Sequence, residues 1–339
     1  MTRRIWTGSL SALGLLLLIL DAKTALSGAS EGLSLCLRSV IPSLFPFFVL
    51  SILLTDALTG LRFPLLRPLG KLCGIPRGGE SLLAVGLLGG YPVGAQCVAQ
   101  AYRAGQLSRQ DARRMLGFCS NAGPAFLFGM VAAKFPGLWM AWALWGIHIL
   151  SAILVGSLLP GKSGGAVRLS SGKQESLPGA VRRGLTVMAG VCGWVVLFRV
   201  ILAFIDRWFL WLLPDSAQVA VIGLLELANG CCDLGRISNA GLRFIVCSAI
   251  LGFGGICVIM QTVSVTDGLG LGYYLPGKLL QGLISLFLAA FLQSMIFPAE
   301  ERTYIPGIWL IGTVIILSLS VILLYKYEKK SSNPAAVGV

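Results

Sequence analysis

Charge is scarce in this chain. Only 12% of its 339 residues are charged, 56% are hydrophobic, and the mean hydropathy is +0.83. A soluble fold of that size cannot hide so much apolar surface, so the bilayer must be its solvent. No polar stretch is long enough for a separate soluble domain, which leaves one all-α polytopic membrane unit. Histidine is almost missing, with one residue, and the nine cysteines show no paired Cys-x-x-Cys spacing. Those two shortages exclude an ordinary zinc site. Cys97, Cys119, Cys192, Cys247 and Cys257 lie in apolar segments, where cysteine behaves as a small hydrophobe, and Cys231-Cys232-Asp233 is the one cluster. There is no Ser/His set or paired acidic motif in a membrane-face loop, so neither an enzyme nor a bound cofactor is expected.

The net charge of +13 does not signal nucleic acid. The basic residues fall in short loops between apolar runs, as the positive-inside rule requires. The expected partners are the lipid bilayer and a small-molecule solute; self-association is left open. Gly156-Ser-Leu-Leu-Pro-Gly161-Lys162-Ser163 matches the phosphate-loop pattern, but it follows a membrane span and runs into a polar loop. That motif works only between a strand and a helix, so the match is read as chance.

Apolar runs of about 20 residues, the length that spans a hydrocarbon core, recur along the chain. The first is Met1 to Leu20, with Arg3-Arg4 as its basic start. It is read as a retained span, although Ala25 to Ala29 offers the small residues of a signal-peptide cleavage site. Further spans are expected at about 39–58, 114–133, 138–159, 185–205, 242–265, 275–297 and 305–324.

Two segments break the rules of a membrane helix in the same way. Gly86-Leu-Leu-Gly-Gly-Tyr-Pro-Val-Gly-Ala-Gln96 is followed by Leu116-Gly-Phe-Cys-Ser-Asn-Ala-Gly-Pro124. Leu224-Leu-Glu-Leu-Ala-Asn-Gly230 is followed by Leu251-Gly-Phe-Gly-Gly-Ile-Cys257. Glycine and proline cost helix stability at each break. Residues 80–102 and 217–233 are read as re-entrant hairpins that enter and leave on one face. About eight full crossings with both termini inside then place most of the 27 Lys and Arg residues on the cytoplasmic side, including Arg62, Arg67, Arg103, Arg109 and Lys162. Asp21, Asp206, Asp215, Asp233, Glu300 and Glu301 fall on the other side. Three spans and a hairpin in each half give an inverted repeat, the plan of many secondary transporters, with the site where broken helices meet.

Backbone left unpaired in hydrocarbon is costly, so such breaks survive only where protein or water satisfies them. Ser120-Asn121-Ala122-Gly123 and Gly252 to Gly255 are therefore expected to line a cavity, with amides available to a polar or anionic ligand. Glu226 is the sharpest single residue: a carboxylate within a membrane segment costs at least ~2.5 kcal/mol and is usually functional. Gln96, Asn121, Asn229 and Gln261 are the polar partners expected beside it. His148 is read chiefly as a packing residue, and Arg199 as snorkelling or pairing with Asp206 on its own helix.

These residues look familiar. Pro42-Ser-Leu-Phe-Pro-Phe47, Gly90-Tyr-Pro-Val-Gly-Ala95 and Phe118-Cys-Ser-Asn-Ala-Gly-Pro124 resemble the Gate, or nucleoside-recognition, family of membrane proteins, and within it the sporulation integral membrane proteins of endospore-forming bacteria. Glu226-Leu-Ala-Asn-Gly230 and Phe253 to Gln261 are similar to that group too. More distantly the chain resembles concentrative nucleoside transporters. The resemblance covers roughly 35–300. It implies a first Gate-type repeat at 35–160, a cytoplasmic linker at 161–184 and a second, inverted repeat at 185–300, flanked by a first transmembrane helix (1–34) and a last one with a basic tail (301–339).

It further implies a permease in the outer forespore membrane that carries a small polar or anionic solute, dipicolinate foremost. By position, its substrate site would hold Gly90, Pro92, Gly94, Ser120, Asn121 and Gly123 from the first half. Glu226, Asn229, Gly230, Gly254, Gly255 and Gln261 would come from the second, with Gln96 alongside. A nucleoside permease fits less well, because the first hairpin offers only Glu80, at its mouth. The rival from another class is a non-transporting membrane protein needed for assembly of the spore envelope.

Overall fold

A computed structural model describes residues 2–58, 63–161, 165–167, 169, 175–266 and 268–303. The expected last span at 305–324, the basic tail and parts of the expected linker lie outside them. Helices dominate: α1 (Thr2–Leu20), α2 (Ala22–Leu35), α3 (Ile41–Leu58), α4 (Arg67–Leu72), α5 (Glu80–Leu88), α6 (Val93–Arg103) and α7 (Arg109–Leu116). After them come α8 (Pro124–Lys134), α9 (Leu138–Leu158), α10 (Leu177–Trp208), α11 (Asp215–Leu225) and α12 (Leu227–Asp233). The last are α13 (Ala240–Phe253), α14 (Gly255–Val265) and α15 (Tyr274–Ile296). Among the described residues, the sole β contact is a bridge between Arg77 and Ala166.

Five helical stretches among the described residues are long and apolar enough to cross a bilayer: Ala22–Leu54, Leu138–Leu158, Leu177–Trp208, Ala240–Val265 and Tyr274–Ile296. Several sequence boundaries move. Residues 22–35 are not a connection but helix α2, which runs through a π-helical turn at Cys36–Val40 into α3. Ala25 to Ala29 lies inside α2, and Gly28 and Gly32 let that helix lie directly on the α10 backbone. Helix α10 starts at Leu177, capped by the Ser176 hydroxyl, so the expected linker ends earlier than residue 184. The expected span at 114–133 holds only the short helix α8 beyond its break.

The radial pattern is that of a membrane protein. Leu138, Trp142, Leu150, Leu197 and Trp211 are exposed, while Ser120, Asn121, Glu226, Lys278, Gln281 and Ser285 are buried. Large apolar side chains outside and polar ones inside suit a chain whose solvent is lipid. Small residues draw the inner helices together: Gly252 of α13 rests against Gly282 and Ser285 of α15.

Candidate functional site

In the first half, α5 and α6 fold back on each other around Gly89 to Pro92. Gly90 adopts a φ of +74°, which favours glycine, and the Tyr91-Pro92 bond is cis. Gly86 and Gly94 face each other across the pair and leave no room for a β-carbon, because the Cys119 carbonyl lies between them. That carbonyl belongs to the non-helical stretch that separates α7 from α8. Its exposed backbone is satisfied locally. Asn121 Nδ2 donates to the Phe118 carbonyl at 2.8 Å and to the Gly86 carbonyl at 3.2 Å, and the Ala122 N–H donates to His148 Nε2 at 3.0 Å. His148 thus does more than fill space: it caps the break. Gly123 then rests on Gly90, where a β-carbon would come within 2.9 Å of the Gly90 Cα.

The second half repeats this construction with different residues. Helices α11 and α12 fold back at Glu226, whose φ of −142° and ψ of 112° interrupt the helix, and Gly230 packs on Gly223. The Glu226 carboxylate accepts from the Asn229 backbone N–H at 2.6 Å and from its side-chain amide at 2.7 Å. It is the cap of α12. Helix α13 stops at Gly254, and both Gly254 (φ +85°) and Gly255 (φ +84°) adopt left-handed backbone before α14 begins. Gly255 lies against the Gly223 carbonyl and the Leu227 N–H, so this broken helix also docks on the break of its neighbouring hairpin.

The two constructions meet at one cavity of about 50 Å³, lined by Gly90, Tyr91 and Gly123 from the first and by Glu226, Leu227 and Gln261 from the second. Val40, Phe48, Val191 and Val195 add apolar surface to its lining. That volume holds a few waters.

Of the expected site residues, Gly90, Gly123, Glu226 and Gln261 line the cavity. Asn229 sits behind Glu226 as its partner. Pro92, Gly94, Gly230, Gly254 and Gly255 shape the breaks. Gln96 lies on α6 beyond the turn and does not reach the cavity wall. Ser120 is fully buried, and its hydroxyl has no hydrogen-bond partner. Asn121 is not beside Glu226; it belongs to a separate polar cluster. Arg199 does not pair with Asp206 either. Seven residues on a helix are about 10.5 Å of rise, too far for a contact, and Arg199 bonds instead to Glu31 of α2.

The residue that sequence reasoning missed is Lys278. It lies in α15 and is fully buried. Its Nζ donates to Gln281 Oε1 at 2.6 Å, to Asn121 Oδ1 at 3.3 Å and to the Tyr91 hydroxyl oxygen at 3.3 Å, and it stands 5.2 Å from the Tyr91 ring centre. Gln281 Nε2 in turn donates to Asn121 Oδ1 and to the His148 carbonyl. A second buried cation, Arg114, holds the end of α9: its guanidinium donates to the Gly156, Leu159 and Gly74 carbonyls. The phosphate-loop lookalike therefore begins as a helix end tied down by Arg114.

No family model matches the chain, and no solved structure matches it. A curated relative does. The sporulation integral membrane protein YlbJ of Bacillus subtilis (strain 168) is 26% identical to it, over 83% of this chain and 81% of the relative. With its apolar helices and this similarity, the chain is a multi-pass integral membrane protein, homologous to one that carries a sporulation name.

Proposed function

We propose that the chain is a secondary carrier, a permease for a small polar or anionic solute, built as an inverted pair of Gate-type repeats. One observation carries the reading: the turns of two helical hairpins border a single cavity together with the first break at Ala122 and Gly123 and with Val258 and Gln261 of α14, while the second break at 252–255 stands behind its wall. Broken helices are tolerated in a bilayer where they line such a space, and paired breaks in the two halves of a chain are the mark of a transport site. The cavity is too small for a solute of drug-like size, which needs some 300 Å³ or more. Passage therefore requires the hairpins to part, as alternating access demands. The sporulation name of the relative, with the family resemblance, supports dipicolinate as cargo and the outer forespore membrane as location.

The test is uptake of radiolabelled dipicolinate by vesicles that contain the purified protein. Asn121→Ala and Glu226→Gln should each reduce it severalfold. Normal transport by both variants would remove the site assignment, and no uptake by the wild type would remove the carrier reading.

A further inference from the structure

Lys278 places an amine in the protein interior with no carboxylate in contact among the described residues. The titratable groups that face it are Tyr91 of the first hairpin, Tyr274 on its own helix, Cys119 of the first break and His148 of α9. An unpaired intramembrane charge is costly and marks function by default. Lysine, unlike arginine, can give its proton up.

The hydrogen-bond count shows what that proton would do. An ammonium has three N–H donors, and Lys278 has three acceptors: Gln281 Oε1, Asn121 Oδ1 and the Tyr91 oxygen. The two amides cannot reverse. Asn121 Nδ2 is held by the Gly86 and Phe118 carbonyls and Gln281 Nε2 by the His148 carbonyl, and carbonyls only accept. A neutral amine has two donors and a lone pair. Of the three neighbours, only the Tyr91 hydroxyl can donate to that lone pair. With Lys278 charged, the Tyr91 oxygen accepts and its proton is free for another acceptor. With Lys278 neutral, the Tyr91 O–H keeps its proton and is engaged as a hydrogen-bond donor to the Nζ lone pair. Tyr91 lines the cavity, and its hydroxyl lies against Gly254 at the second break.

We propose that Lys278 is a proton-loading site that works through Tyr91, so that a proton bound at Nζ frees the O–H of this cavity-lining residue to donate and admits an acceptor-rich, anionic solute together with that proton. This rests on the carrier reading and names its coupling ion. Lys278 acts as a positioning residue, since it reaches the cavity through Tyr91.

The experiment loads vesicles with a pH-sensitive dye and measures radiolabelled dipicolinate uptake with and without a gradient of one pH unit, acid outside. Such a gradient is worth up to about tenfold in accumulation per proton. The readout is the ratio of the two uptakes. For wild type it should rise severalfold above one, with dye acidification that tracks the solute. Tyr91→Phe removes the hydroxyl but keeps the ring. Gln281→Glu is nearly isosteric and pins the charge on Lys278. Both should bring the ratio to about one, with the acidification lost. Uptake by the wild type that ignores the gradient overturns this inference alone, as does a full ratio in both variants. No uptake by the wild type at either pH overturns the carrier reading, and the inference with it.

Discussion

The Glu226 carboxylate grips Asn229 twice, by its backbone N–H and by its side-chain amide, at 2.6 and 2.7 Å. One residue thus ends α11, caps α12 and borders the cavity. The two roles separate by mutation. Asn229→Ala removes only the side-chain arm and should lower stability by about 1 kcal/mol, the net worth of a hydrogen bond. Glu226→Ala loses the cap as well and should lower it by roughly 1–3 kcal/mol. Thermal unfolding in detergent, followed by circular dichroism, reads the order; equal losses would show that the cap contributes little.

Arg114 offers a second energetic test. Its planar fork satisfies three backbone carbonyls at the junction of the α4–α5 loop, α7 and α9. Lysine brings the charge but not the fork, so Arg114→Lys should cost roughly 1–3 kcal/mol, measured as a fall in melting temperature. An unchanged melting temperature would mean that water replaces the guanidinium without loss.

The breaks were legible in the sequence because their causes are local. Gly90, Pro92 and Gly254 each disfavour a continuing helix by their own chemistry, and Glu226, itself a good helix former, stands out as a carboxylate in an apolar segment. Lys278 was not. In Tyr274-Leu-Pro-Gly-Lys278 it reads as a basic residue at the mouth of a span, where lysines snorkel to the headgroups. Only the third dimension buries it: Gly277 packs on Gly117, which drives this end of α15 under the first break. Helix α2 was missed for a related reason. Lys23, Thr24, Ser27 and Glu31 make it look like a polar connection, yet Asp21, Thr24 and Glu31 find Arg207 and Arg199 on α10, far away in sequence. Asn121 was rightly chosen as polar and buried but given the wrong partner, because spacing along a chain does not say which half folds over which.

The glycines divide into two classes that a single substitution can tell apart. Gly86, Gly94 and Gly230 each meet backbone where a β-carbon would go, with no flexible side chain to give way. Alanine at Gly86 or Gly94 should force the first hairpin off the Cys119 carbonyl, alanine at Gly230 should force α12 off α11, and each should reduce the yield of monodisperse protein sharply. Gly146 and Gly190 are helical too, but nothing lies within 4 Å of their β positions. Alanine there should be neutral, or stabilising by about 0.5–1 kcal/mol through helix propensity. Size-exclusion profiles of the five variants check the contrast, and a normal profile for Gly94→Ala would show that the packing of α5 and α6 on the Cys119 carbonyl is not required.

The last prediction concerns the arrangement on which the carrier reading stands. If each half has an odd number of crossings, the second half is upside down, and the loop between the halves faces the cytoplasm while the end of α15 faces out. Gly165 and Glu301 are both exposed and mark those two places. Seven of the nine cysteines are buried, so replacing Cys192 and Cys232 with serine gives a quiet background. In that background Gly165→Cys should resist a membrane-impermeant maleimide applied to intact cells and react after lysis, whereas Glu301→Cys should react at once. Labelling of both from one side would require an even number of crossings between them. The second half would then not be the first turned upside down, and alternate opening towards each side would lose its structural basis.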